Sequence, residues 1–137
     1  MTDYTETLAN PEIAGVFEIP EGGVEAIVAA AEANKHIIYR ADLRAARSRE
    51  QMLNIIGEGL ELPAWYGANY DALMDCICDM NWVPAPGYTI ILENCHNINT
   101  LAPSEFNMLI DVFAEAANSW REEDKPFWCF VDLPSNV

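Results

Sequence analysis

The sequence predicts an α/β fold: a small parallel sheet with helices packed against it. Three observations carry this. Strand-like runs at Val16-Phe17-Glu18-Ile19, His36-Ile37-Ile38-Tyr39, Tyr88-Thr89-Ile90-Ile91-Leu92 and Phe127-Trp128-Cys129-Phe130-Val131 are separated by segments of helical character. The Tyr88–Leu92 run is β-branched and follows Pro84-Ala85-Pro86-Gly87, the pattern of a strand buried on both faces of a parallel sheet. Strands alternating with helical crossovers imply right-handed connections.

The elements follow in order. Val16–Ile19 is ended by Pro20 and Gly22-Gly23, and alanine-rich Val24–Asn34 has helical propensity, so the chain opens on a βα unit. After the His36–Tyr39 strand, Ser48-Arg49-Glu50-Gln51 matches a capping box, in which serine and glutamine satisfy exposed helix donors reciprocally. Met52, Leu53, Ile56 and Leu60 form that helix's buried stripe; Gly57 and Gly59 weaken its end and Leu62-Pro63 stops it. The next helix starts near Asn69, a capping residue after the bend that Gly67 permits. Leu73, Cys76, Ile77 and Met80 form its apolar face, and Asp71, Asp75 and Asp79 its other side. Pro103-Ser104 open a further helix with the stripe Phe106, Leu109, Ile110, Phe113, Ala117 and Trp120, leaving Asp111 and Glu115 outside. Phe127–Val131 closes as the last strand. The expectation is one domain over residues 1–137, with residues 1–35 as a βα extension of the sheet formed by 36–133.

Composition narrows the function. Twenty-two acidic against seven basic residues give a formal net charge of −15, which repels nucleic acid and anionic membranes and speeds encounter with a basic protein. The start, Met1-Thr2-Asp3-Tyr4-Thr5-Glu6-Thr7, lacks the basic and apolar regions of a signal peptide, and no apolar run reaches spanning length, so a cytoplasmic protein is expected. The four cysteines read as reduced thiols, since Cys76 and Cys78 lie two apart on one helix and Cys95 and Cys129 sit in or beside strands.

Chemistry concentrates in residues 62–75. Asp71 and Asp75 stand at i and i+4 on one helix face, where like charges cost about 0.2–0.5 kcal/mol; only Asp71, in the first turn, gains from the helix dipole. Solvated helix face, partner surface, metal site and catalytic pair are all open readings of that spacing. Trp65 and Tyr66 lie in a connection, where aromatics either pack inward or anchor an interface. An enzyme would recruit Asp71 and Asp75 with Cys76 or His96, but Cys76-x-Cys78 and adjacent Cys95-His96 match no zinc spacing, and acidic surroundings raise a thiol pKa. No metal or cofactor is expected.

The string Leu62-Pro63-x-Trp65-Tyr66-Gly67-x-Asn69-x-Asp71-Ala72-Leu73-x-Asp75-Cys76 resembles the barstar family, intracellular inhibitors of the secreted ribonuclease barnase, and the barstar-related immunity proteins. The similarity extends more loosely from His36 to Leu133, through the Tyr88–Leu92 strand, Val112-Phe113-Ala114-Glu115-Ala116 and the last strand. The resemblance implies a non-enzymatic protein whose aromatic turn and acidic helix block a ribonuclease active site, its carboxylates standing where RNA phosphates bind. It implies Asp75 as central acid, Asp71 and Glu115 in support, Asn69 and Gly67 as direct matches, and Trp65 where barstar has tyrosine. Such an inhibitor acts as a monomer in a one-to-one complex with a basic extracellular-type or toxin ribonuclease, as immunity in a toxin–antitoxin pair. Met74 replaces a barstar tryptophan and Asp79 a small residue, so partner identity is most open there. Residues 1–35 have no counterpart. The alternative is an acidic interaction module on the same fold, binding a basic partner that is not a ribonuclease. An exposed Trp82 or Trp120 would add a second interface.

Overall fold

The computed structural model describes residues 3–20, 23–62, 66–79 and 85–133. Ten elements follow one another: α1 (Thr5–Leu8), β1 (Val16–Glu18), α2 (Gly23–Ala33), β2 (Ile37–Asp42), α3 (Arg49–Gly59), α4 (Tyr70–Asp79), β3 (Tyr88–Glu93), α5 (His96–Leu101), α6 (Pro103–Glu122) and β4 (Phe127–Val131). Their strands form one parallel sheet in the order β1-β4-β3-β2. The α/β expectation holds, and β1 joins this sheet at its edge beside β4, with Val16 opposite Cys129.

Both faces of the sheet are covered, which is why β4 is buried at all five positions and β3 at five of its six. Alternate side chains serve the two sides. Tyr39, Ala41, Tyr88, Ile90, Leu92, Phe127, Cys129 and Val131 join the large core built with α3, α4 and α6. Ile91, Trp128 and Phe130 face the other way, into a smaller cluster with Leu8 of α1 and Ile27, Ala30 and Ala31 of α2.

Several expectations are refined. Short α1 and α5 add to the sequence reading. Met52, Leu53, Ile56 and Leu60 are fully buried, as their spacing predicts. The glycines of α3 mark close approach: a Cβ on Gly57 would stand 2.6 Å from the Tyr66 ring, and one on Gly59 2.7 Å from the Arg40 carbonyl oxygen. The Ser48 cap forms, its hydroxyl accepting from the Gln51 N–H at 3.3 Å, but Gln51 Oε1 accepts from Arg47 N–H rather than from Ser48. In α6, Val112 and Ala116 are buried while Ile110 is only half-buried. A helix wedged between the sheet and α4 needs a wider apolar stripe than one facing a single layer. Trp120 is 6% exposed, so it is no free interface residue: its Nε1 donates to the Ile77 carbonyl at 2.7 Å and its ring lies 5.2 Å from that of Tyr88. Trp82 and Met80 lie outside the described residues. All four cysteines are free. No described helix is long and apolar enough to cross a membrane.

Candidate functional site

The acidic helix is placed by a turn and a cap. Asn69 Oδ1 accepts from the Ala72 N–H at 2.8 Å while its carbonyl takes the Leu73 N–H, so Asn69 caps α4. The left-handed residue of the turn is Ala68, at φ 53°, and not Gly67. This corrects the role expected of the glycine, which is exposed just ahead of the bend.

Tyr66 precedes that turn and is half-buried. Its hydroxyl donates to the Leu53 carbonyl at 3.0 Å and its ring covers Gly57, which ties the connection to α3. Burial, with the nearby Cys76 second, pushes its phenol up to about 12. Trp65 lies outside the described residues.

On the inner side of α4, Leu73, Cys76 and Ile77 are fully buried. That commitment turns Asp71 and Asp75 outward, and both are exposed. Met74 is half-buried, with Cys78 Sγ 3.4 Å from its sulfur. Asp79 ends the helix, and its side chain lies outside what the structure describes. Tyr70 straps α4 to α6: its hydroxyl lies 2.9 Å from the Glu105 carbonyl oxygen and 2.8 Å from Glu105 Oε1. Burial first, then Glu105, pushes that phenol up, so it stays protonated and the strap holds across the neutral range.

The strap leaves a groove of about 400 Å³ between α4 and α6, lined by Tyr70, Asp71, Met74, Met108, Asp111, Val112 and Glu115. Asp71, Met74 and Glu115 thus converge on one hollow from two helices far apart in sequence. Asp75, Gly67 and Asn69 lie outside its lining, and Tyr66 lines a different hollow beside α3, with Asn54, Glu58 and Glu61. Asp111 and half-exposed Met108 are groove residues that sequence reasoning does not single out as candidates. Their spacing from Glu115, four and seven residues, marks one exposed helix side and is the signal that could have found them.

The chemistry suits binding. A half-apolar hollow walled by three carboxylates, with no Lys, Arg or His in its lining, accepts charge-assisted bonds from guanidinium or ammonium groups. It offers no activated nucleophile. Burial and then Asp75 push the Cys76 thiol up, and burial dominates the rise at Cys78, so both thiols remain protonated near neutrality. His96 lines a separate hollow with Arg44, Asn94, Asn97 and Asp132. Among the described residues no group of three or more His, Cys, Asp or Glu is placed to hold a metal ion.

Comparison with known proteins gives two findings. Residues 36–132 match the family model described as Barstar (barnase inhibitor). The chain is also similar to the protein named "Putative ribonuclease inhibitor YrdF" of Bacillus subtilis (strain 168), at 32% identity over 84 residues, covering 61% of this chain and 89% of that protein.

Proposed function

The chain belongs to the barstar family, and from that premise we propose that it is a non-enzymatic intracellular inhibitor that blocks the active site of a basic ribonuclease toxin. A ribonuclease cleaving a polyanion presents cationic side chains in a concave site, and carboxylates on a convex helix can satisfy them in place of RNA phosphates. In this reading Asp75 is the central phosphate mimic and Trp65 the aromatic anchor, with Tyr66, Gly67 and Asn69 shaping the turn. Asp71 and Glu115 flank the centre. Met74 and Asp79 stand where partners are told apart, and Asp111 and Met108 extend that rim.

The observation that best supports the reading is that Asp71 and Met74 of α4 and Asp111 and Glu115 of α6 line one groove with no basic residue in it, a surface matched to cationic side chains. The net charge of −15 supplies long-range steering, while desolvated pairs at the centre limit dissociation. The complex is one-to-one, the free inhibitor is a monomer, and residues 1–35 extend the same domain.

The test measures RNA hydrolysis by barnase, and by any ribonuclease encoded beside this chain, with and without the protein. Wild type is expected to inhibit at least one of them. Asp75→Ala is expected to weaken that inhibition by roughly 3 kcal/mol or more, the size usual for a charged anchor at the centre of such an interface, barstar's own included. Inhibition unchanged in Asp75→Ala would remove Asp75 from the centre, and no inhibition by wild type would sink the proposal.

A further inference from the structure

Helices α4 and α6 are tied together at two places, each time by a side chain of one reaching a main-chain carbonyl of the other. At the start of α4 the Tyr70 hydroxyl lies 2.9 Å from the Glu105 carbonyl oxygen and 2.8 Å from Glu105 Oε1. Near its end the Ile77 carbonyl accepts from Trp120 Nε1 at 2.7 Å. Ile77 is among the last four residues of α4, whose carbonyls have no partner within the helix, so the indole supplies a donor that the helix itself lacks. Pairing 70 with 105 and 77 with 120 makes the two helices run in the same direction. Asp71 and Met74 of α4, and Asp111 and Glu115 of α6, line their groove between the two ties.

The ties oppose a specific force. Asp71 on one helix faces Asp111 and Glu115 on the other across a groove with no basic lining residue, so their repulsion favours parted helices. Apolar packing of Leu73 and Ile77 against α6 resists parting but is non-directional and leaves sliding open, whereas a hydrogen bond at each end fixes both spacing and register. The far anchor is itself immobile: Trp120 is buried with its ring 5.2 Å from that of Tyr88, and the adjacent Arg121 donates to the carbonyls of Pro11 and Ala14. Like charges are thus held close on folding. A cationic partner then meets acids already in place and loses less in ordering them.

We propose that Tyr70 and Trp120 are positioning residues of the inhibitory face. They fix α4 on α6, and through that the places of Asp71, Asp111 and Glu115, before any partner binds. The role rests on the inhibitor reading above.

The experiment uses the full chain, with Tyr70→Phe, which keeps the ring and removes only the donor, and Trp120→Phe as a second variant. In the free protein, amide hydrogen exchange at residues 74–78 of α4 is expected to quicken about fivefold in each, while Leu53 and Ile56 of α3 stay unchanged. With whichever of barnase or a neighbouring ribonuclease the wild type inhibits, dissociation should quicken about fivefold and association change less than about twofold, since the charge is unaltered. In an Asp71→Asn, Glu115→Gln background, where two of the placed acids carry no charge, Tyr70→Phe should no longer alter dissociation. An equal effect in that background, or quickened exchange with unchanged dissociation, overturns the positioning role in favour of a merely structural one. Unchanged exchange in both variants overturns the fixing of α4. Failure of wild type to inhibit either ribonuclease is a different result: it removes the inhibitor reading and the role with it, and leaves exchange to judge the ties alone.

Discussion

The two faces of the sheet are closed by different means. On the side of α3, α4 and α6, large side chains interlock: Phe106, Leu109, Phe113 and Trp120 of α6 meet Tyr88, Ile90 and Phe127 of the strands, and the aromatic rings of Phe113 and Phe127 stack at 6.4 Å. On the side of α1 and α2 the helices bury only Leu8, Ile27 and the small Ala30 and Ala31, and long-range hydrogen bonds do more of the fixing. Trp128 reaches the Leu8 carbonyl, Asn34 reaches the Thr5 carbonyl, and Arg121 of α6 reaches around to the carbonyls of Pro11 and Ala14 at 3.1 and 2.7 Å. The first face therefore has apolar burial to spare and can turn outward the carboxylates of Asp71, Asp75 and Glu115, which make no ion pair among the described residues. The second is thin and is held at a few directional points. The acidic groove lies where the core is deep, and like-charge repulsion along α4 is tolerable there.

Breaking the deep face should cost the most. Phe113→Ala is expected to lower the unfolding free energy by roughly 4 kcal/mol, read by denaturant titration, because a ring stacked on Phe127 leaves a cavity. A loss below about 1 kcal/mol would mean that this face is not the main source of stability.

Next comes acid. His36 is buried on the thin face, Nδ1 lying 3.0 Å from Thr89 Oγ1 and Nε2 pressed against Gly87, where a Cβ would sit 2.5 Å away. Burial holds its imidazole down at about 4 against an ordinary 6.5. The unfolded chain then binds the proton more readily, so stability present above pH 6.5 is lost as pH falls through that window toward 4. With solvent screening included, the loss is expected to reach roughly 2 kcal/mol. Chemical denaturation at pH 7.5, 5.5 and 4 should show this slope in wild type and a flatter one in His36→Gln. Parallel slopes would acquit His36.

The smallest effect separates the faces most sharply. Trp128→Phe keeps an aromatic but strips the partner from the Leu8 carbonyl, at a cost of roughly 1.5 kcal/mol. Hydrogen exchange should quicken at the Leu8 amide of α1 and stay unchanged along α6. Uniform quickening would show that the two faces unfold as one unit.

How far these differences can be read from sequence follows the same divide. The runs Tyr88–Leu92 and Phe127–Val131 are legible because a strand buried on both faces needs no alternation, only unbroken apolarity. Helix α4 is legible through its stripe and through Asn69. The four-residue α1 and six-residue α5 are not, since helices of one or two turns hold too few residues for a period to emerge. For the candidate site, the outward acids are legible by subtraction from the buried stripe. The hollow between Met74, Asp111 and Glu115 is not, because it arises from how closely Tyr70 and Glu105 draw two helices together. The left-handed bend falls one residue beyond the glycine that would suggest it, with Ala68 in a conformation glycine usually takes.

The position of β1 bears on how the chain behaves in crowded solution. Phe127-Trp128-Cys129-Phe130-Val131 has high β-propensity, no charge and no proline, the makeup of a segment that templates amyloid-like stacking when its edge is open. Three residues of β1 close that edge, between Gly15 and Pro20, and leave an outer strand too short to recruit another. The N-terminal unit thereby acts as a built-in guard against self-association, and a chain trimmed to residues 36–137 should be the more aggregation-prone form.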